Sequence, residues 1–113
     1  MNVSEVIISE DILLGSANFR ETEFSGGEAN FDGAVFLGGD AYFETAKFGG
    51  NTKFGNVLFG NDAYFRDAQF DGDAYFQLAK FRGVLDLVGI DFTRLYINWN
   101  SIERPVCDGV TYW

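Results

Sequence analysis

The chain has 113 residues, a formal net charge of −9 and 47% hydrophobic residues, with 13 phenylalanines and one proline. This length fits a single domain over residues 1–113, and the apolar content excludes general disorder. The acidic excess disfavours nucleic acid and anionic membranes as direct partners and favours another protein with a basic surface.

Residues 1–16 are predicted to form an N-terminal cap over the open end of a coil. Such a cap is needed because a bare coil end exposes unpaired backbone N–H and C=O groups. Ile12 and Leu14 fit the inward positions of the repeat that follows, and Val6 and Ile8 fit them more loosely.

Residues 17–83 repeat one unit, a small residue two positions before a phenylalanine, twelve times without a miss. Both residues point to the same side of an extended backbone because side-chain direction alternates along a strand. A helix fails because the uneven steps give no single apolar face, and a hairpin sandwich fails because its strands would be too short. The pattern predicts an all-β coil whose repeats bury their apolar side against their neighbours.

The residues between the units must turn the chain. Gly or Asn often stands two places after the phenylalanine, where a positive φ costs these residue types least. Corners of this kind are predicted at Gly26, Gly33, Gly38, Gly50, Asn56, Asn61, Gly72 and Gly83.

The units A-N-F-R-E, T-E-F-S-G, A-N-F-D-G and A-V-F-L-G resemble those of the pentapeptide-repeat family, over at least residues 17–83. The resemblance implies a right-handed quadrilateral β-helix with four units per coil, and hence about four coils. Extra residues after every second unit are expected to widen two of the four corners. The implied phenylalanine stacks are Phe19, Phe43 and Phe65; Phe24, Phe48 and Phe70; Phe31, Phe54 and Phe76; and Phe36, Phe59 and Phe81.

Residues 84–102 are predicted to form an irregular last coil, followed by a tail over residues 103–113. The inward phase continues through Leu85, Leu87, Ile90, Phe92, Leu95 and Ile97. The apolar end of the chain either caps this coil or forms a homodimer contact, since two open coil ends can meet about a twofold axis. The candidate residues for the cap or the dimer are Trp99, Ile102, Tyr112 and Trp113.

The outward positions contain the candidate interaction surface. Aligned tyrosines are common at interfaces, but tyrosine also suits an extended backbone, and scattered exposed aliphatic residues are ordinary. Both interpretations stay open at this point. The candidate residues, grouped by face, are Tyr42 and Tyr64; Lys53 and Tyr75; and Val35, Leu37 and Leu58.

The residue types that carry catalysis or bind metals are scarce. The chain has no histidine, and its carboxylates are spread along the corners with no pair in an apolar pocket. We therefore predict no enzymatic activity, no cofactor and no metal. Cys107 is the only cysteine and no signal peptide is evident, which predicts a reduced, cytoplasmic protein. No run approaches the roughly 20 apolar residues needed to insert into a membrane.

Three functions are compatible with this sequence. The first is a non-enzymatic scaffold that presents its faces to another protein. The family resemblance implies a second, an acidic dimer that mimics DNA and binds a type II topoisomerase. Its charge density argues against it, since the coils carry about one net charge per 4 Å against one per about 1.7 Å of duplex. The third follows from LDLVGIDFTRLYINWNSIERP, which resembles the segment that joins such repeats to channel-like membrane proteins.

Overall fold

The protein is an all-β solenoid. The computed structural model describes residues 2–3, 6–8, 11–98 and 105–106, in which strands of two or three residues alternate with turns. Each unit of the repeat supplies one strand, because its small residue and its phenylalanine both point inward from an extended segment. The predicted fold class is confirmed, with about four coils.

The strands follow one another at short intervals along the chain. The first nine are β1 (Asn2–Val3), β2 (Val6–Ile7), β3 (Ile12–Leu14), β4 (Ala17–Asn18), β5 (Glu23–Phe24), β6 (Ala29–Asn30), β7 (Val35–Leu37), β8 (Ala41–Tyr42) and β9 (Lys47–Phe48). The others are β10 (Thr52–Lys53), β11 (Leu58–Phe59), β12 (Ala63–Tyr64), β13 (Gln69–Phe70), β14 (Ala74–Tyr75), β15 (Lys80–Phe81), β16 (Leu85–Asp86), β17 (Leu95–Tyr96) and β18 (Pro105–Val106). A 3₁₀ helix over Phe92–Arg94 precedes β17.

The strands form four parallel sheets, which the chain visits in turn and which make the four sides of the rod. Sheet A contains β1, β5, β9 and β13, and sheet B contains β2, β6, β10, β14 and β17. Sheet C contains β3, β7, β11 and β15, and sheet D contains β4, β8, β12, β16 and β18. Equivalent residues of successive coils lie beside one another, as Ala17, Ala41, Ala63 and Leu85 do in sheet D.

Four columns of phenylalanine rings fill the inside of the rod. Rings of successive coils are nearly parallel, as in Phe24 and Phe48, whose centroids are 4.6 Å apart with planes 4° apart. Rings of different columns meet either edge to face, as Phe31 and Phe43 do at 5.7 Å and 88°, or at a tilt, as Phe54 and Phe59 do at 6.0 Å and 40°. Stacked and edge-to-face arrangements are both favourable for aromatic pairs. The predicted stacks are confirmed, and they are Phe19–Phe43–Phe65, Phe24–Phe48–Phe70, Phe31–Phe54–Phe76 and Phe36–Phe59–Phe81.

Strand β3 of the first coil has a different register from the predicted one. Ile12 and Leu14 were expected to point inward, but they are 65% and 81% exposed, and Leu13 packs against the core instead. Leu13 pairs with Phe36 because the segment ILLG aligns with VFLG, and each segment ends in a glycine with positive φ. The inward prediction for Ile8 is confirmed, since it packs against the same core.

The last coil loses one strand, and the side chain of Phe92, which was predicted to point inward, lies outside the described part of the structure. Where sheet A would continue past Ile90, the chain forms the 3₁₀ helix instead of the predicted extended segment. The Asp91 Oδ1 atom accepts hydrogen bonds from the Thr93 amide at 3.0 Å and from the Thr93 hydroxyl at 2.8 Å. Such local bonds compete with strand pairing. The buried or partly buried inward residues are Leu85, Leu87, Ile90, Leu95 and Ile97.

The corners follow a different rule from the predicted one. Positive φ is confirmed at Gly33, Gly38 and Asn56 but is not found at Gly26, Gly50, Asn61, Gly72 or Gly83. It occurs mainly at the five-residue corners, whose tight turn is closed by a hydrogen bond such as that from the Thr22 amide to the Phe19 carbonyl at 3.2 Å. Non-glycine residues therefore adopt it at Glu21, Thr45, Asp67 and Leu78.

The glycines of the widened corners have a steric role. A Cβ atom on Gly72 would lie 2.7 Å from the carbonyl group of Gly50 in the preceding coil. Because each coil rests directly on its neighbour there, this position has no space for a side chain.

Candidate interaction surfaces

Tyr42 and Tyr64 lie side by side on the outer face of sheet D. Their rings are stacked, with centroids 5.4 Å apart and planes 9° apart. Each hydroxyl donates a hydrogen bond to the aspartate two residues earlier, Tyr42 to Asp40 at 3.3 Å and Tyr64 to Asp62 at 3.0 Å. The bond to Asp62, together with partial burial, raises the pKa of Tyr64 to about 12. Both tyrosines are thus held in place by the repeated segment D-A-Y-F.

The same aspartates also connect successive coils. Asp40 Oδ1 accepts a hydrogen bond from the Asp62 amide at 3.0 Å, and Asp62 Oδ1 accepts one from the Val84 amide at 2.8 Å. Each carboxylate therefore joins a backbone amide of the next coil to a tyrosine of its own coil. These acids stabilise the rod and are engaged within it.

The rest of the sheet D face consists of charged pairs. Arg20 bonds Glu44 at 2.8 Å, and its guanidinium lies 3.8 Å from the centre of the Tyr42 ring. Arg66 bonds Asp86 at 3.0 Å, and Asp86 is buried. This face is polar, and its charges are largely paired with one another.

Lys53 and Tyr75 lie on sheet B, a different side of the rod. Lys53 pairs with Glu28 at 3.4 Å, while the Tyr75 ring stacks on Tyr96 at 5.3 Å. The Tyr75 hydroxyl donates to Asp73 at 3.2 Å. This face is again polar and internally paired.

A shallow groove of about 480 Å³ runs between these side chains and the adjoining corner. Asp32 and Leu78 form part of its lining with Lys53 and Tyr75. Leu78 is 72% exposed and has a φ of +62°, an uncommon conformation for leucine. Leu78 was not among the predicted surface residues, although it places a large apolar residue where the other five-residue corners hold Glu, Gly, Thr, Asn or Asp.

Val35, Leu37 and Leu58 lie together on the outer face of sheet C and are half-buried. Ile12 and Leu14 of β3 extend this patch, because Ile12 pairs with Val35 and Leu14 pairs with Leu37. These five residues are called the aliphatic face below. It is the largest apolar group of outward residues in the described part of the chain, and the register of the first coil creates its most exposed members.

Two cations continue the aliphatic face at its C-terminal side. Lys80 of β15 pairs in register with Leu58. Arg82 comes two residues after Lys80 and, like Lys80, is exposed on the outer side of the strand. The regular phase of the repeat predicts the outward position of Val35, Leu37 and Leu58, whereas Ile12 and Leu14 were predicted to lie in the core. Aligning ILLG with VFLG is the signal that identifies them.

A family model described as "Pentapeptide repeats (9 copies)" matches residues 37–79. Residues 37–79 are therefore pentapeptide repeats. The same coil continues on both sides of the matched segment, from β3 to β17. Comparisons with curated proteins and with solved structures gave no significant match.

The candidate residues of this protein do not form a single site. Tyr42 and Tyr64 belong to sheet D, Lys53 and Tyr75 to sheet B, and the aliphatic face to sheet C. The residues predicted for a cap or a dimer lie outside the described residues, and they are Trp99, Ile102, Tyr112 and Trp113.

The described residues show no group of three or more cysteines, aspartates and glutamates placed to hold a metal ion. Among the same residues, no helix has the length and apolar character needed to cross a membrane. What the rod offers chemically, within the described range, is a set of outer faces that parallel strand pairing holds in register.

Proposed function

We propose that this pentapeptide-repeat protein is a non-enzymatic scaffold that binds another protein through the aliphatic face. The observation that carries the proposal is the exposure of Ile12 and Leu14 beside Val35, Leu37 and Leu58. Contiguous exposed apolar residues commonly mark contact sites, because covering them removes apolar surface from water.

The rigidity of the rod supports this proposal. Stacked rings fix the inward residues, and the outward residues of sheet C are set by parallel pairing with neighbouring coils. A partner that binds such a face orders few side chains, so less of the contact free energy is offset by lost conformational freedom.

The tyrosine faces support the proposal less well. The hydroxyls of Tyr42, Tyr64 and Tyr75 are already bonded to aspartates of the same coil. A partner there would meet paired polar groups, whereas the aliphatic face leaves apolar surface uncovered.

The DNA-mimic hypothesis and the channel-associated hypothesis stay predictions. The charged faces interleave bases with acids, as in the pairs Arg20–Glu44 and Arg66–Asp86. A duplex presents negative charge without such interruption, so we favour the protein scaffold.

Site-specific photocrosslinking tests the proposed function. A benzophenone amino acid replaces Leu14 in one variant and the exposed Gln69 of sheet A in a control, and both are irradiated in the cells that express the protein. We expect discrete protein adducts of constant mass from position 14 and none of the same mass from position 69. The same adducts from both positions, or no protein adduct from either, would overturn the proposal.

A further inference from the structure

We propose that the aliphatic face together with Lys80 and Arg82 forms one binding site for an acidic amphipathic helix of another protein. Apolar side chains of the helix would cover the aliphatic face, and carboxylates at one end of it would pair with the two cations. This inference rests on the proposed function and specifies the chemistry of the partner.

The parallel register places the apolar and basic parts in one line. Ile12, Val35, Leu58 and Lys80 occupy the same position in four successive coils. Neighbouring strands are about 4.8 Å apart, so the apolar part of this line spans about 10 Å and Lys80 follows at about 14 Å. Leu14 and Leu37 begin a second, parallel line, in which Gly60 occupies the third coil and Arg82 the fourth.

The spacing fits a helix that lies along the rod. Residues i, i+4 and i+7 of a helix share one face and span about 10 Å at 1.5 Å per residue. Residues one turn further, at i+10 and i+11, lie about 15–17 Å from the first and so reach the level of the cations. The partner is therefore expected to carry Leu, Ile or Phe at i, i+4 and i+7, followed by Asp or Glu at i+10 and i+11.

The two cations are available for an external partner. Arg20, Lys53, Arg66 and Arg94 each have a carboxylate within 4.0 Å, whereas neither Lys80 nor Arg82 has one among the described residues. Their charges are thus uncompensated beside an apolar surface, which is the complement of an acidic amphipathic segment.

This local charge opposes the charge of the whole chain. The net charge of −9 disfavours an acidic partner over most of the surface. At physiological salt, however, charges interact mainly within about 8 Å, so a contact depends on nearby groups. The two cations therefore attract an acidic segment in one place and orientation, while the remaining surface repels it.

Two other occupants fit less well. Membrane surfaces rich in anionic lipid are bound by clusters of about four to eight basic residues, more than this face carries. A second copy of the chain could not supply such a helix from its described residues, whose helical segment is Phe92–Arg94. Both occupants are distinguishable in the experiment below.

The test uses the full chain and two synthetic helical peptides labelled with fluorescein. The acidic probe has leucines at i, i+4 and i+7 and glutamates at i+10 and i+11, and the second probe has lysines in place of the glutamates. Fluorescence anisotropy titrations give the affinities for the unmodified chain and for the double variant Lys80→Glu/Arg82→Glu. The matched control is Lys47→Glu on sheet A, where Lys47 is also exposed and has no ion pair among the described residues.

We expect the acidic probe to bind the unmodified chain about tenfold more tightly than the lysine probe, since two pairs change from attraction to repulsion. The double variant should reverse this preference, and Lys47→Glu should leave it within about twofold. Leu14→Asp should weaken binding of both probes, because both place leucines on the aliphatic face. Circular dichroism spectra establish that each variant retains the fold.

Several outcomes would overturn the inference. They are equal affinities of the two probes, a preference that survives the double variant, absence of binding, and tighter binding to phosphatidylserine vesicles than to the acidic probe. A dimer detected by light scattering and abolished by Leu14→Asp would assign the face to a second copy instead. If position 14 still yields the same photocrosslinked protein from the double variant, the proposed function stands and only the acidic partner is wrong.

Discussion

The middle coils of the rod and its two end coils use the same inward positions but different chemistry. Between β4 and β15 every inward pair combines a small residue with phenylalanine, and the rings stack at 4.6–5.0 Å. The first coil uses aliphatic residues and shifts by one residue at β3, whereas the last replaces a strand by a 3₁₀ helix. A uniform repeat therefore determines its own register, while a degenerate repeat leaves the register to local turn chemistry.

Truncating a core residue in the middle and at the end should show the largest contrast. Phe54 is fully buried between Phe31 and Phe76, so Phe54→Ala should reduce the free energy of unfolding by about 3–5 kcal/mol. Leu13 is only partly buried, and Leu13→Ala should cost about 1–2 kcal/mol. Urea denaturation monitored by circular dichroism gives both values. Equal losses would show that the end coil is as well packed as the middle.

The sequence predicted the fold where one residue type dominates. Twelve phenylalanines in constant phase with a small residue allow one register, since a shift by one would bury the polar outward residues. In ILLG three adjacent aliphatic residues fit inward positions equally well, and Gly15 with its positive φ decides between them. At Asp91 a side chain satisfies nearby donors and ends the strand pattern, which depends on geometry that hydrophobic periodicity does not record.

The candidate surface was only partly predictable for the same reason. Val35, Leu37 and Leu58 follow from the regular phase, but Ile12 and Leu14 require the shifted register. The hydrogen bonds from Tyr42 and Tyr64 to the aspartates two residues earlier could have been predicted from the repeated D-A-Y-F segment. Leu78 could not be placed by a rule that assigned positive φ to glycine and asparagine alone, because the tight turn imposes that conformation on whatever residue occupies it.

A buried hydroxyl without a hydrogen-bond partner in the described part of the chain lowers the stability of the middle coils. The Thr52 side chain is fully buried and its Oγ1 atom has no hydrogen-bond partner among the described residues. Thr52→Val keeps the shape and removes an unsatisfied polar group, so we expect the free energy of unfolding to rise by about 1 kcal/mol. Urea denaturation measures the change. Thr22→Val, nearer the end coil, has the same rationale and should give a smaller gain; loss of stability in both would indicate unrecognised partners of the hydroxyls.

The middle coils should lose stability at alkaline pH, and the last coil should lose stability at acidic pH. The pKa of Tyr64 rises from 10.0 to about 12 through its bond to Asp62. Because the folded state holds this proton more tightly, the stabilisation is complete below pH 10 and is lost as the pH rises towards 12. Thermal unfolding of the unmodified chain and of Asp62→Asn at pH 9–12 measures this loss. At pH 9 the variant should unfold at a lower temperature than the unmodified chain, and its unfolding temperature should fall less between pH 9 and 12. If the unfolding temperatures of both proteins fall equally with pH, deprotonation of Tyr64 is not the cause of the loss.

In the last coil the relevant group is Asp91, whose pKa lies below its usual value because the Thr93 amide, and then the Thr93 hydroxyl, bond its carboxylate. A lowered pKa contributes stability above the unfolded value of 3.8 that is lost as the pH falls through the lowered one. Asp91→Asn should reduce the dependence of the unfolding temperature on pH between about 5 and 2.5. Asp71→Asn, in the preceding coil of the same side, is the control and should change it less.

The smallest expected effect concerns a corner of the middle coils. Leu78 adopts a φ of +62° with its side chain exposed, so Leu78→Gly removes backbone strain at the expense of little buried surface. The left-handed conformation costs about 1–2 kcal/mol outside glycine, and glycine's greater freedom in the unfolded chain offsets part of this gain. We expect a net stabilisation of about 0.5 kcal/mol, measured by urea denaturation. Asn56→Gly, at the same corner one coil earlier, should gain less because asparagine tolerates this conformation. If Leu78→Gly instead destabilises the chain as much as a core truncation does, the Leu78 side chain contributes packing free energy despite its exposure. The five-residue corners would then stabilise the middle coils in the same way as the phenylalanine core does.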